Sequence, residues 1–157
     1  MKKKKNFLRL SFIGLPVAQA RPRARVTQNN VHLYSSQKKE YEKIHKSLIQ
    51  QLPNDWVVIE EYKNISLRLE AYFRKPVLLA KYKPEAENMP RVKKPDLTNV
   101  VKFYEDALTR YVWEDDRCVT KVYATKCYSD HPRVDIEVTW DNNNEYYLNT
   151  DTFILPT

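Results

Sequence analysis

Lys93-Lys94-Pro95-Asp96-Leu97-Thr98-Asn99-Val100-Val101-Lys102 opens the stretch whose reading decides the fold, and it runs on to Trp113-Glu114-Asp115-Asp116-Arg117. Between them, Leu97, Val100, Val101, Tyr104, Ala107, Leu108 and Tyr111 fall within an arc of about 120° at 3.6 residues per turn, which predicts an amphipathic helix over 97–111. Thr98, Lys102, Glu105, Asp106 and Thr109 take the opposite face. Asp96 follows a proline and precedes the helix, so two roles are open to it. It is either the N-cap, accepting backbone N–H bonds, or, with Thr98 capping instead, a free carboxylate.

Working outward, alternation predicts strands on both sides of this helix. Ile65, Leu67, Leu69, Ala71 and Phe73 face one way, and Ser66, Arg68, Glu70 and Tyr72 the other. Downstream, 117–127 reads as a strand, Ser129-Asp130-His131-Pro132 as a turn, and Val134, Ile136, Val138 and Trp140 as a further strand. Upstream, Leu8, Leu10 and Phe12 alternate with Arg9 and Ser11, marking a strand over 7–13 that Gly14-Leu15-Pro16 ends. A basic, proline-bearing loop then reaches Asn29-Asn30, and 31–34 is a short strand. A helix over 37–52 follows, capped by Ser35 or Ser36, with Tyr41, Ile44, Leu48 and Leu52 at helical spacing. Residues 56–59 read as a strand or a loop, and 76–95, with four prolines, as a long irregular excursion. The sum is an α/β (α+β) fold: a mixed sheet of about four to six strands flanked by two main helices. We expect one domain over 1–157, with a basic tail at 1–6 and a C-terminal extension over 141–157 that begins with an Asn142-Asn143-Asn144 turn.

The net charge is +7, and the first 25 residues hold eight basic side chains (Lys2 to Lys5, Arg9, Arg21, Arg23 and Arg25) and no acidic one. Beyond Arg133 there is no Lys or Arg. A solubilising surface mixes both signs, so this asymmetry points to a polyanionic partner, nucleic acid first. Lys2 to Lys5 reads equally well as a solvated tail. A single glycine, Gly14, excludes a phosphate loop or a dinucleotide fingerprint, hence a nucleotide cofactor. Cys118 and Cys127 stand nine residues apart in what reads as one strand, on opposite faces and about 30 Å apart, too far to bond. Thiols without ligand spacing fit a reducing compartment and no structural zinc. The N-terminus imitates a secretory signal, with lysines, an apolar stretch and Ala18-Gln19-Ala20, which leaves a secreted basic protein as a rival reading. Arg9, Ser11 and Pro16 argue against it. No run is long enough to span a membrane as a helix.

The chemistry concentrates on 93–117. Carboxylate oxygens are the ligands Mg²⁺ prefers, and a nearby lysine stabilises charge developing on a phosphate. Lys102 is otherwise an ordinary i,i+4 partner of Asp106. Asp115 and Asp116 are adjacent, so in an extended chain they point to opposite faces and one of them reaches a given metal. His32, His45 and His131 share no ligand spacing. The eleven tyrosines read mainly as core and strand residues.

The ordered set of Gly14-Leu15-Pro16-Val17, Arg21-Pro22-Arg23, the Lys-Pro-Asp-x-x-Asn-x-x-Lys run over 94–102 (with Leu97-Thr98 between Asp96 and Asn99), Glu105-Asp106-Ala107-Leu108, Trp113-Glu114-Asp115-Asp116 and Arg133-Val134-Asp135-Ile136 resembles the RusA family of Holliday-junction resolvases. The resemblance spans Phe7 to about Trp140. It implies a mixed α/β homodimer, mostly phage- or prophage-encoded and acting in the bacterial cytoplasm, that uses Mg²⁺ (or Mn²⁺) to nick opposed strands of branched DNA. By position, Asp96 and Asp116 match metal-binding aspartates, Lys102 matches the essential lysine, and Asp115 and Asn99 match neighbouring motif positions. Arg21, Arg23, Arg25, Lys93 and Lys94 would grip the DNA backbone. One position departs from the pattern: Thr98 stands where the family commonly has a second aspartate. A neutral oxygen there weakens metal binding unless Asp106 or Asp115 substitutes, and a junction-binding protein with little or no nuclease activity is the alternative.

Overall fold

The computed structural model describes residues 6–21, 23–34, 36–61 and 63–141. A four-stranded sheet, in the order β1-β6-β4-β5, is built from β1 (Asn6–Ile13), β4 (Ile65–Arg74), β5 (Val119–Ser129) and β6 (Arg133–Trp140). β6 runs antiparallel to both β1 and β4, while β4 and β5 are parallel. A separate hairpin pairs β2 (Arg23–Thr27) with β3 (Asn30–Tyr34). The helices are α1 (Lys38–Gln51), the short α2 (Val77–Tyr82) and α3 (Leu97–Leu108).

The predicted alternation builds the core. Rows of apolar side chains cross three strands in register: Leu8–Val138–Leu67, Leu10–Ile136–Leu69 and Phe12–Val134–Ala71. All nine are buried, on one face, against Ile44 and Leu48 of α1 and Val100, Phe103, Tyr104, Ala107 and Leu108 of α3. Each such Leu, Ile or Phe contributes about 1.5–3 kcal/mol by burial. The other face carries the polar partners of the same registers, Arg9–Glu137–Arg68 and Ser11–Asp135–Glu70. The like-charged neighbours Glu70 and Asp135 are each held by a cation, Arg68 at 2.8 Å and Arg133 at 3.0 Å. A cleft of about 220 Å³ lies there, lined by residues that largely pair with one another. Among the described residues no helix is long and apolar enough to cross a membrane.

Several elements differ from the sequence reading, each for a physical reason. The loop expected before residue 31 contains β2, closed onto β3 by a two-residue turn in which the Thr27 hydroxyl donates to the Asn30 carbonyl. This hairpin lies outside the core, and Val26 and Val31 are exposed, so it leaves no burial pattern to read. The N-cap of α1 is Gln37 rather than Ser35 or Ser36; Ser35 lies outside the described residues. The 76–95 excursion includes α2, six residues with none fully buried. α3 ends at Leu108, not Tyr111, because Thr109 is extended and its hydroxyl donates back to the Glu105 carbonyl. Phe103, absent from the predicted apolar arc, is fully buried between Tyr41 and Tyr104. Cys118 sits in a single 3₁₀ turn (Asp116–Cys118) ahead of β5, not in the strand, and both cysteines are free. Residues 56–59 add one bridge, Ile59 to Trp113. The basic tail over 1–5 and the turn at 142–144 with the rest of the extension lie outside the described residues.

Candidate active site

α3 connects two parallel neighbours, β4 and β5, so its N-terminus opens at the carboxyl end of β4 after the 75–95 excursion. That excursion is fastened along its length. Lys75 is buried, its ammonium ion-paired with Glu87 (3.0 Å) and Asp130 (3.2 Å) and donating to the Pro84 carbonyl. Residues 88–91 then pair with the free edge of β5: Asn88 N–H donates to the Tyr128 carbonyl, Tyr128 N–H to that of Met89, and Arg91 N–H to that of Lys126. The Arg91 guanidinium lies 4.5 Å from the Phe73 ring and donates to the Lys94 carbonyl. The Lys126 ammonium donates to the carbonyls of Lys93 (2.8 Å) and Pro95 (2.7 Å). Two cations therefore fix the backbone of Lys93-Lys94-Pro95, whose Lys94–Pro95 peptide is cis, and leave the Lys93 and Lys94 side chains exposed.

Asp96 comes next, at the N-cap position. Its backbone carbonyl accepts from Asn99 N–H (3.1 Å) and Val100 N–H (3.2 Å), while its side chain makes no capping bond. Of the two roles open to it, the free carboxylate is the one adopted: it is exposed and takes no hydrogen bond or ion pair among the described residues. Thr98 is exposed on the first turn and does not cap either.

Further along, the charges converge. Asn99, Lys102 and Asp106 follow at steps of three and four residues, which sets them along one stripe of α3, with Asp96 at the N-cap just ahead of it. The Lys102 ammonium lies 3.1 Å from Asp106 Oδ1 and 3.7 Å from Asp116 Oδ2, so the acidic turn after α3 folds back onto the helix. The hydrogen bond to Asp106, reinforced by the charges of Asp106, Asp116 and Glu105, holds the Lys102 ammonium above the usual lysine range despite some burial. Glu105 is the mirror case. Partial burial raises its carboxyl, Lys102 opposes, and Asp116 and Asp106 raise it further. Asp115 is spent elsewhere: it caps the 3₁₀ turn, accepting from Arg117 N–H (2.9 Å) and pairing with the Arg117 guanidinium (2.9 Å), which holds it below the usual carboxylate range.

A strap from the end of β1 covers this stripe. Gln19 donates through its backbone N–H to the Asn99 carbonyl (2.9 Å) and through its side-chain amide to Asp106 Oδ2 (2.9 Å). Gln37 of the α1 N-terminus grips the neighbouring residues, accepting from Ala20 N–H and donating to the Ala18 carbonyl, both at 2.8 Å. The strap leads into Arg21, which is exposed, and then to Arg23 and Arg25 on β2. Gln19, Gln37 and Lys126 were not singled out as site residues from the sequence, because a lone glutamine or lysine carries no spacing signal.

Of the sequence-derived set, the structure brings together Lys102, Asp106 and Asp116, with Asn99 joined through its backbone. Asp96 stands on the same helix, about 9 Å along the axis from Lys102 at 1.5 Å per residue. Among the described residues no group of three or more His, Cys, Asp or Glu side chains is gathered closely enough to hold a metal ion. The donors available are nevertheless of the type that suits Mg²⁺, which is commonly held by one or two carboxylates, completed by water and by phosphate, rather than by a protein cage.

The class these observations define is a basic α+β protein whose acidic and basic side chains meet at Lys102, Asp106 and Asp116. Residues 14–139 match the family described as Endodeoxyribonuclease RusA, and the chain belongs to that family of nucleases that act on branched DNA junctions. It is also 28% identical over 134 residues to "Uncharacterized protein YqaN" of Bacillus subtilis (strain 168), the match covering 83% of this chain and 94% of the relative.

Proposed function

We propose that this chain is a Mg²⁺-dependent endodeoxyribonuclease that resolves Holliday junctions by paired nicks, acting as a homodimer in the cytoplasm of a bacterial host. The observation that carries the reading is the meeting of Lys102 with Asp116, nineteen residues on from the start of a helix preceded by an Asp96 carboxylate that takes no partner among the described residues. Asp96 and Asp116 would hold the metal, which when bound supplies charge neutralisation and activation of water at the phosphodiester. Lys102 would meet the scissile phosphate with a full positive charge, since its carboxylate neighbours keep it protonated. Arg21, Arg23, Arg25, Lys93 and Lys94 would bind the DNA backbone, giving affinity and geometry without base readout. A C₂ dimer would present two equal sites to a junction with approximate two-fold symmetry.

Asp115, tied to Arg117, is the weakest of the metal candidates, and Thr98 adds no charge. Those two observations support the second reading, a junction-binding protein that nicks poorly. The deciding experiment is cleavage of a synthetic four-way junction across a Mg²⁺ and Mn²⁺ titration. Asp96→Asn and Asp116→Asn should each bind the junction as the unaltered protein does and fail to cut it. Cleavage retained in either variant would refute the site assignment; binding without nicking at any metal concentration by the unaltered protein favours the second reading.

A further inference from the structure

We infer that Gln19 and Asp106 are positioning residues for Lys102: Gln19 fixes the Asp106 carboxylate, and Asp106 fixes the Lys102 ammonium beside Asp116. The inference rests on the nuclease reading of this site and assigns a role to two residues outside the proposed metal and phosphate contacts.

An isolated i,i+4 lysine–carboxylate pair on a helix surface does not hold an ammonium still. Such a pair contributes little to stability, and the four-bond lysine stem regains its rotamers whenever the pair opens. Here the acceptor is itself held. Asp106 uses Oδ1 for Lys102 (3.1 Å) and Oδ2 for the Gln19 amide (2.9 Å), so neither oxygen is free to rotate away. Gln19 in turn is over-determined. Its own N–H is bonded to the Asn99 carbonyl, Val17 N–H donates to the Tyr104 hydroxyl (3.3 Å), and Gln37 clasps both Ala18 and Ala20. Tyr104 and Gln37, the two side chains that pin the strap, are both buried. The rigidity of the core therefore reaches Lys102 through one side-chain amide and one carboxylate.

Two consequences follow from this geometry. Asp106 acts through Lys102: its two oxygens already accept from the Lys102 ammonium and the Gln19 amide. The strap that leads to Arg21 is held by Gln37 and Tyr104 apart from the Gln19 amide, so loss of that amide leaves the path to Arg21 anchored. A misplacement of about 1 Å at a reacting group costs on the order of 100-fold in rate. Removing the clasp should therefore act on turnover rather than on affinity.

The test uses the full chain with Gln19→Leu, Asp106→Asn and Asp106→Glu, measuring single-turnover junction cleavage and, separately, junction affinity. Gln19→Leu and Asp106→Asn should slow cleavage by about 10- to 100-fold with affinity changed less than about twofold, the signature of an interaction made in the transition state. Asp106→Glu should recover part of the loss. Gln19→Leu added to Asp106→Asn should cost little more, because the two act in series. A second readout needs no cleavage: the ordered ¹⁵Nζ resonance of the Lys102 ammonium, assigned with Lys102→Arg, should collapse in both single variants. Wild-type cleavage rates with an unchanged resonance in both variants would overturn the inference while leaving the nuclease reading intact. So would rate losses matched by equal losses of affinity. An unaltered protein that never nicks, yet whose Lys102 resonance depends on Gln19 and Asp106, would support the clasp and sink the nuclease reading.

Discussion

The Lys93-Lys94 pair offers the most direct test of how DNA is gripped. Lys126 and Arg91 hold the carbonyls of Lys93, Lys94 and Pro95, so the backbone there is fixed while the two ammonium groups project from exposed positions. With Arg21, Arg23 and Arg25 they make five proposed phosphate contacts per protomer. Each contact contributes about 0.9 to the slope of log affinity against log salt, giving about −4.5 per protomer, and about 500-fold weaker binding on going from roughly 50 to 200 mM salt. Lys93→Ala/Lys94→Ala should lower that slope to about −2.7, and the same salt step should then cost only about 40-fold. A dimer doubles both slopes. Fluorescence anisotropy with a labelled four-way junction and a catalytically silent background, across a salt series, measures them. If the double variant binds with an unchanged slope, these lysines do not meet phosphate, and the reasoning from the fixed backbone to a DNA contact is refuted.

Other outcomes follow from the same geometry. Phe103→Ala removes a fully buried ring packed on Tyr41 and Tyr104 and should cost about 3–5 kcal/mol. For a chain of this length that lowers the melting temperature by roughly 6–20 °C in a circular-dichroism melt; a loss below about 1 kcal/mol would contradict the packing. Thr98→Asp places a negative charge two residues after Asp96 and should lower the Mg²⁺ concentration needed for half-maximal cleavage by roughly tenfold. No change in the metal titration would show that charge count is not limiting. Glu87 is pushed down to about 2, first by the hydrogen bond from Ser129 and then by Lys75. Its folded value lies below its unfolded one of 4.5, so its contribution to stability is present above pH 4.5 and is lost as the pH falls towards 2. Urea midpoints measured across that window should fall less steeply in Glu87→Gln than in the unaltered protein, and parallel curves would exclude the linkage.

Much of this protein was legible from local pattern. The strands over 7–13, 65–73 and 134–140 announce themselves because a half-buried strand must alternate, and their apolar sets do form the continuous rows of the core. The helix of residues 97–108 is equally plain, since its apolar arc has to face that sheet, although the ring of Phe103 widens the arc beyond the expected one. The motif residues Asp96, Lys102 and Asp116 stood out by residue type and order, and the convergence of Lys102 on Asp116 gives the last two a shared place.

Only the tertiary structure decided how those groups are held. Periodicity reports which side of an element meets the core, but a hydrogen bond spanning 87 residues, such as Gln19 to Asp106, leaves no trace at short range. The same limit explains the β2–β3 hairpin, which buries too little to carry a pattern, and the two aspartates at 115 and 116, alike in sequence and separated by their neighbours. Arg117 takes the first and Lys102 the second. Sequence alone named the chemical parts; contacts between distant segments set which carboxylate caps a turn, which is paired and which takes no partner among the described residues, because charge and hydrogen bonding depend on proximity in space rather than on distance along the chain.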